Sequence, residues 1–172
     1  LAFGYDSILY RVSDQSGGYV YFPKSQRLFE YYRNIYIYDN NGNLISKQEK
    51  GLGGVVTNFM YTSENQLRRI EFFYAGSGIP YRTADYVYDA LGRRIEKRVN
   101  EVIAPADPTK TYTRRFVYDG QEILLEYDGS NNLLARYTHS SLRTDDVLAA
   151  QITSAGVTGG LAASSGSYMY LK

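Results

Sequence analysis

Apolar and polar positions alternate along most of the chain, and short turn-forming segments interrupt this alternation at intervals. Tyr86 and Tyr88 are two residues apart and therefore share one face of an extended chain. Asp89 then opens a four-residue turn that Gly92 closes, because aspartate bonds local backbone and glycine adopts positive φ without a Cβ penalty. Over 94–99 charged residues at every second position alternate with Ile95, Lys97 and Val99, again an extended pattern. The pattern therefore predicts a strand, a turn and a strand, which is a β-hairpin.

Strict alternation in the second strand of this unit has a consequence for its faces. It places Arg94, Glu96 and Arg98 on one side of the strand and the residues between them on the other.

The same unit recurs, so the chain is predicted to be a tandem repeat. Copies occur near 3–12, 19–28, 36–47, 59–70, 86–99, 116–125, 125–136 and 168–172. Two segments, 102–110 and 154–167, are predicted to be loop insertions because they are rich in proline or in glycine, serine and alanine. The expected fold class is all-β: tandem antiparallel hairpins in a curved, spiralling sheet, with 1–172 as a single segment of it.

Two turn positions recur in register with the aromatic residues. The position four residues after the second aromatic is Gly42, Asn65, Gly92 or Asn131, the residue types that tolerate the left-handed conformation best. The residue directly after that aromatic is Asp39, Thr62, Asp89 or Asp128, all able to bond turn backbone. The residues predicted to define the repeat, all structural, are Tyr36, Tyr38, Asp39, Gly42, Leu44, Phe59, Tyr61, Asn65, Leu67, Tyr86, Tyr88, Asp89, Gly92, Arg93, Arg94, Phe116, Tyr118, Asp119, Tyr127, Asp128, Asn131 and Leu133.

Composition narrows the function classes. The 172 residues include 19 lysines and arginines against 18 acids, so no net field points to nucleic acid or an acidic membrane. The absence of cysteine excludes disulfide scaffolds, thiolate zinc sites and thiol nucleophiles. No apolar run reaches the roughly 18 residues of a membrane-spanning helix. The chain opens without methionine and stops in mid-pattern, so we expect it to be a piece of a longer protein.

The candidate catalytic and metal-binding residues are few. His139 is the only histidine, so a Ser-His-Asp triad would have to use it. The two serines that follow it face opposite sides of a strand, which argues against such a triad. We therefore expect His139 at the surface end of a strand. The Asp145-Asp146 pair lacks the spaced acidic loop of a calcium site and is expected to be a solvated loop or strand cap. The glycines of 51–54 have no following helix and lysine, so they predict a turn and not a phosphate cradle. No catalytic, cofactor-binding or metal-binding residue is assigned.

Paired arginines could indicate nucleic-acid binding, but acids accompany them. The pairs are Arg68-Arg69, Arg93-Arg94 and Arg114-Arg115, and the neighbouring acids are Glu64, Glu71, Asp89 and Glu96. Because adjacent strand residues point to opposite faces, cross-strand ion pairs are the better interpretation.

The 19 tyrosines have two alternative roles. An aromatic in each repeat can pack on its equivalent in the next, forming a ladder that joins the repeats. Alternatively, exposed rings can bind sugars or flanking peptides. Of these two roles, we expect the tyrosines to form the ladder between repeats.

The motifs at Tyr36 (Tyr-x-Tyr-Asp-x-x-Gly-Asn-Leu) and Tyr86 (Tyr-x-Tyr-Asp-x-x-Gly-Arg-Arg) resemble the YD repeats of the RHS family. That family includes bacterial polymorphic toxins, components of insecticidal toxin complexes, and teneurins. The likeness runs from Phe3 to about Tyr137, with a half-copy at Tyr168. It implies hairpins that wind into a hollow shell around a toxic C-terminal segment, released by self-cleavage.

The chain departs from the full family pattern. It is too short to enclose a passenger domain, and it lacks an Asp-Pro-x-Gly cleavage signature, since Asp107-Pro108 is followed by threonine and lysine. Self-cleavage chemistry is therefore not expected in this chain.

The resemblance implies a structural, non-enzymatic section of a shell that encapsulates and helps deliver a C-terminal toxin or effector, without cofactors. The implied partners are the rest of the shell and its enclosed polypeptide, in a secreted or cell-surface protein, with no nucleic acid. The alternative function is a carbohydrate- or cell-surface-binding module. Exposed strand edges also predict self-association of the fragment.

Overall fold

The computed structural model describes residues 4–5, 11–14, 17–22, 25, 27–51, 53–101, 111–140, 147–158, 161 and 164–169. The chain divides into two compact units, unit 1 (Leu1–Tyr81) and unit 2 (Arg82–Lys172), each described here by itself. Its described residues form strands with one short helix, so the all-β prediction is confirmed.

The strands of unit 1 are β1 (Gly4–Tyr5), β2 (Arg11–Asp14), β3 (Gly17–Tyr21), β4 (Leu28–Tyr31), β5 (Asn34–Tyr38), β6 (Leu44–Glu49), β7 (Val55–Tyr61) and β8 (Leu67–Tyr74). Those of unit 2 are β9 (Arg82–Tyr88), β10 (Arg94–Glu101), β11 (Tyr112–Asp119), β12 (Glu122–Asp128), β13 (Leu133–His139), β14 (Val147–Ile152) and β15 (Gly166–Met169).

Within each unit, every strand pairs antiparallel with the next strand in sequence. This confirms the prediction of tandem hairpins. Most connections have two to five residues, and a turn of that length returns the chain only to the adjacent position of an antiparallel sheet. The curvature and spiral of the parent sheet remain predictions.

A β-bulge follows each four-residue turn, and strict alternation failed to predict it. Tyr88 pairs with Arg94, but Val87 pairs with Glu96, so Ile95 is the extra residue. The same register shift occurs at Tyr38, Tyr61 and Tyr127. The prediction that Arg94, Glu96 and Arg98 share a face is therefore wrong, because the bulge turns Arg94 to the face of Tyr88.

Hydrophobic burial is concentrated in unit 2. Among the described residues, the buried hydrophobic side chains are Ala84, Val99, Leu134, Ala135, Ala150 and Ile152. Elsewhere most strand side chains are half-buried, as expected of a sheet with few layers over it.

The predicted loop 154–167 is wrong at both ends. Residues Ser154–Thr158 form the helix α1, and Gly166 begins β15. The Thr153 hydroxyl accepts a hydrogen bond from the Gly156 amide at 3.1 Å, which caps the helix. Gly156 lies so close to the Leu134 carbonyl that a Cβ would approach its oxygen to 2.3 Å, so glycine allows the helix to pack on β13. The other predicted loop, 102–110, lies outside the described residues.

Candidate functional site

The four-residue turns share one hydrogen-bond pattern. In three of them the aspartate Oδ1 accepts the backbone amide four residues later, at 2.8 Å for Asp39, 2.9 Å for Asp89 and 2.9 Å for Asp128. Thr62 does the same through its hydroxyl, at 3.2 Å from the Gln66 amide. Since each side chain replaces a backbone acceptor inside the turn, the predicted role of this position is confirmed.

The fourth turn position has the predicted left-handed conformation in every copy. The φ angles are 93° at Gly42, 59° at Asn65, 80° at Gly92 and 65° at Asn131. Each of these residues donates its amide to the carbonyl of the residue that opens the turn, at 3.0–3.2 Å. Glycine and asparagine therefore occupy this position because the turn requires positive φ.

The hydrogen bonds stabilise the charged form of the turn aspartates. A bond from the Asn43 side chain lowers the pKa of Asp39. The pKa of Asp128 is lowered in the same way, first by the Asn132 side chain and then by backbone amides. Burial acts to raise the pKa of Asp89, but bonds from the Arg93 side chain and nearby amides outweigh it, and the pKa is lowered.

Asp119 differs from the other turn aspartates. It pairs with Glu122 as the last residue of β11, and the connection is the two-residue turn Gly120-Gln121. Gly120 has a φ of 58°, so the positive φ occurs one residue after the aspartate and not three. Asp119 was predicted to belong to the common repeat motif, but its turn does not have the geometry of the other four turns.

A tyrosine hydroxyl joins consecutive copies at equivalent positions. In unit 1 the Tyr61 hydroxyl donates to the carbonyl of Leu44 at 3.0 Å. In unit 2 the Tyr118 hydroxyl donates to the carbonyl of Arg94 at 2.8 Å. Both acceptors lie six residues after the second aromatic of the preceding copy, so the same bond is made twice. Burial raises the pKa of both tyrosines, which keeps the hydroxyls protonated as donors.

The residue after the left-handed position also reaches the next turn. The side-chain Nδ2 of Asn43 donates to Asn65 Oδ1 at 2.7 Å in unit 1. In unit 2 the guanidinium of Arg93 donates to the carbonyl of Gly120. The longer arginine side chain occurs where the next connection between strands has two residues (120–121) in place of five (62–66). These bonds form because alternate hairpin turns lie at the same end of an antiparallel sheet.

The remaining motif positions lie where the strand pairs begin. The residue six positions after the second aromatic pairs directly with it, in the pairs Tyr38–Leu44, Tyr61–Leu67, Tyr88–Arg94 and Tyr127–Leu133. Tyr36 and Phe59 lie within β5 and β7 and are half-buried.

Arginine side chains lie between the aromatic rings of unit 2. The prediction of a ladder of rings packed on rings did not include them. The Arg94 guanidinium carbon is 5.5 Å from the ring centroids of both Tyr86 and Phe116, which belong to consecutive copies. Arg93 lies 4.9 Å from the Tyr118 ring. Rings joined through a guanidinium gain cation–π attraction in addition to packing. In unit 1 direct stacks occur, such as Tyr19 on Tyr31 at 4.1 Å.

The arginine pairs are engaged with acids and rings. Arg115 and Glu96 form the expected cross-strand pair at 2.8 Å. Arg69 instead pairs with Glu71 of its own strand, and Arg93 pairs with Asp89 inside its own turn. The cross-strand interpretation is therefore confirmed for Arg115 with Glu96, and Arg69 and Arg93 have acidic partners in their own strand or turn.

A buried polar network lies beside the core of unit 2. Arg114 Nε is 3.0 Å from Glu126 Oε1, with side chains only 11% and 8% exposed. The Tyr137 hydroxyl donates to the other Glu126 oxygen at 2.8 Å. Sequence reasoning missed this network, since Glu126 and Tyr137 belong to different strands and no local pattern links them.

His139 is less exposed than predicted. It ends β13 as expected, but its side chain is only 13% exposed. Nδ1 lies 2.8 Å from a Glu122 carboxylate oxygen, and Nε2 lies 2.7 Å from the Ile123 carbonyl. A cavity of about 170 Å³ adjoins it, lined also by Glu126 and Tyr137. These ionisable groups contact one another and the backbone.

The turn at 51–54 confirms its prediction. Gly51 and Gly53 have φ angles of 106° and 76°, and a Cβ on Gly54 would approach the Glu49 carbonyl oxygen to 2.3 Å. Asp145-Asp146 lies outside the described residues. Within the described part of the chain, no group of three or more histidine, aspartate or glutamate side chains could hold a metal ion. No described helix has the length and apolarity needed to cross a membrane.

The fold and its turns define a class of protein: a tandem β-hairpin repeat whose polar side chains join one hairpin to the next. No family model matches the chain, and a search of curated proteins found no match either.

Proposed function

We propose that this chain is a section of the wall of an RHS-type shell, which surrounds and helps deliver a C-terminal polypeptide. The observation that carries the proposal is the repeated bond between copies, from Tyr61 to Leu44 and from Tyr118 to Arg94. A wall assembled from hairpins needs the same joint at each step, because every repeat contacts only its neighbours. The proposed location, by the same resemblance, is secreted or at the cell surface.

Side-chain chemistry is consistent with containment. Polar groups at the turns are engaged by neighbouring repeats or by their own turn, as Tyr118 is by the Arg94 carbonyl and Asp89 is by Arg93. A catalyst requires groups that converge on a substrate and remain available to it. We therefore propose a non-enzymatic role.

The test uses the full-length polypeptide of the proposed shell, in which this chain is one section of the wall and the enclosed segment is C-terminal to the repeats. Added protease should leave the segment after the repeats intact in the folded parent and digest it rapidly when that segment is produced alone. Equal digestion rates in both forms would contradict the shell.

A second candidate function is carbohydrate binding, and exposed tyrosine rings favour it. Tyr74 is 52% exposed and stacks on Tyr81 with ring centroids 4.2 Å apart, while Tyr32 is 57% exposed at a hairpin turn. Flat exposed rings of this kind can stack on sugars. Glycan-array binding that is lost in Tyr74→Ala but retained in Tyr36→Phe would support this alternative over the shell.

A further inference from the structure

One dipeptide in the turns carries a reactive group that the joint between hairpins engages without consuming. Asn41 is followed by Gly42 in the turn between β5 and β6, and nowhere else in the sequence does glycine follow asparagine. Asparagine is among the thermally labile residues, because the backbone nitrogen of the next residue can attack its side chain. A following glycine favours this attack, since it has no Cβ to crowd the nitrogen and its backbone is permissive. Asn41 is also exposed, so water reaches it.

The reaction is deamidation through a cyclic imide. The Gly42 nitrogen loses its proton and bonds to Asn41 Cγ, the bond from Cγ to Nδ2 breaks, and the side-chain nitrogen leaves as ammonia with that proton. Water then opens the imide at one of its two carbonyl carbons, and the product is aspartate or isoaspartate. The reaction consumes only water, so the chain needs no oxidant or cofactor for it.

The closed turn holds the attacking group. The Gly42 amide donates to the Asp39 carbonyl at 3.1 Å, and this bond closes the four-residue turn. The φ of 93° at Gly42 belongs to the same closed conformation. Because attack requires loss of the amide proton, the bond to Asp39 must break first. The nitrogen therefore becomes available when the turn opens.

A bond to the next hairpin holds the leaving group. Asn41 Nδ2 donates to Asn65 Oδ1 at 3.1 Å, and Asn43 Nδ2 donates to the same oxygen at 2.7 Å. Asn65 is the left-handed residue of the following turn. The side chain that must reach the Gly42 nitrogen is therefore bonded to a neighbouring hairpin in the closed state.

We propose that Asn41 is a deamidation site that reacts only when its turn opens, so the modification records the separation of two neighbouring hairpins. The closed turn engages the nucleophile and the leaving group together, and the open turn frees both. Deamidation then weakens the joint, because a carboxylate at this position faces the Asn65 Oδ1 acceptor. A flip of the Asn65 amide would instead give up its bond from Asn43. The proposal does not depend on the shell, so the two can fail separately.

The test follows the reaction in the full chain by mass spectrometry. The chain is incubated at mildly alkaline pH in buffer and, separately, unfolded in guanidinium chloride. Trypsin releases the peptide 34–47, and its fragments distinguish Asn41 from Asn34, Asn40 and Asn43. Because two hydrogen bonds must break before attack, Asn41 should react at least about tenfold more slowly in the folded chain than in the unfolded chain.

Two matched variants isolate the bond to the next hairpin. Asn65→Gly retains a residue that tolerates positive φ and removes the acceptor of the Asn41 amide. It should speed deamidation of Asn41 by about two- to tenfold, and hydrogen exchange of the Gly42 amide should rise with it, because both need the open turn. Asn131→Gly makes the same change in a turn of unit 2, where the side chain accepts from Arg115, and should leave both rates unchanged.

A second pair of variants tests the effect of the product. Asn41→Asp places the carboxylate of the product at the site and should raise the hydrogen-exchange rate of the Gly42 amide. Asn40→Asp adds the same charge one residue earlier and should raise that rate less. Equal exchange rates in these two variants would contradict the loss of the joint on deamidation.

Equal deamidation rates of Asn41 in the folded and the unfolded chain would overturn the proposal, since the closed turn would then be reactive. Faster reaction of Asn40 or Asn43 than of Asn41 in the folded chain would also overturn it. The same holds if Asn65→Gly reacts no faster than the original chain, or if Asn131→Gly accelerates the reaction as much as Asn65→Gly does.

Discussion

Replacement of Gly92 by valine tests the turn on which each hairpin depends. Gly92 has a φ of 80°, and its amide donates to the Asp89 carbonyl at 3.0 Å. An L-residue in the left-handed region costs about 1–2 kcal/mol, and a β-branched side chain is among the least tolerant. Relaxation to negative φ would break this bond and the bond from the Arg93 amide to Asp89 Oδ1. We therefore expect Gly92→Val to lower the free energy of unfolding by about 1–2 kcal/mol.

Urea denaturation at neutral pH measures this loss. The midpoint should fall while the slope stays constant, because the variant changes stability and not the surface exposed on unfolding. For a chain of this size, each kcal/mol lowers the melting temperature by about 2–4 °C, so calorimetry should show a decrease of about 2–8 °C.

Two control variants isolate the effect of φ. Gly92→Asn introduces the residue that the same position carries at Asn65 and Asn131, so it should stay within about 0.5 kcal/mol of the original. Gly78→Val changes an exposed glycine that lacks positive φ and has open space around it, and it should also be near neutral. Unchanged stability in Gly92→Val, or an equal loss in Gly92→Asn, would refute the reasoning.

Three further predictions concern unit 2. Glu126→Ala removes the carboxylate 3.0 Å from the buried Arg114 and should lower stability by about 3 kcal/mol, and urea denaturation should show most of that stability restored when Arg114→Met is combined with Glu126→Leu. Tyr118→Phe removes the bond to the Arg94 carbonyl and should cost about 0.5–1.5 kcal/mol in the same assay, whereas an unchanged midpoint would contradict the joint between copies. Because the pKa of Asp128 is lowered on folding, its contribution to stability is complete above about pH 3.9 and is lost as pH falls further, so Asp128→Asn should show a shallower loss of stability than the original chain in acid denaturation between about pH 4 and 2.

The turns were predictable because their requirements are local. Asp89 and Gly92 lie three residues apart, and the bonds between them depend only on the backbone of one turn. The positive φ of Asn65 and Asn131 followed from the same spacing. Sequence therefore predicted the fold class and the hairpin boundaries in all four turns.

The contacts between hairpins were less predictable because a bulge changes the faces. One extra residue at Ile95 places Arg94 and Glu96 on opposite sides of β10, where Arg94 lies between rings and Glu96 lies between guanidinium groups. Strict alternation cannot show this shift, since the bulge depends on how the turn joins the ladder. The network of Arg114 with Glu126 was missed for a related reason, because it requires the register of β11 on β12.

The residue after the left-handed position differs between the repeats. Asn43 spans to a four-residue turn, whereas Arg93 spans to a two-residue turn whose nearest acceptor is a main-chain carbonyl. The two residues thus make the same connection over different turns, and the side chain changes when the neighbouring turn changes. A repeat whose polar residue were selected for a ligand would have no reason to follow the length of the next turn. In these two copies the position therefore joins one hairpin to the next, whereas the Asn132 side chain bonds Asp128 of its own turn.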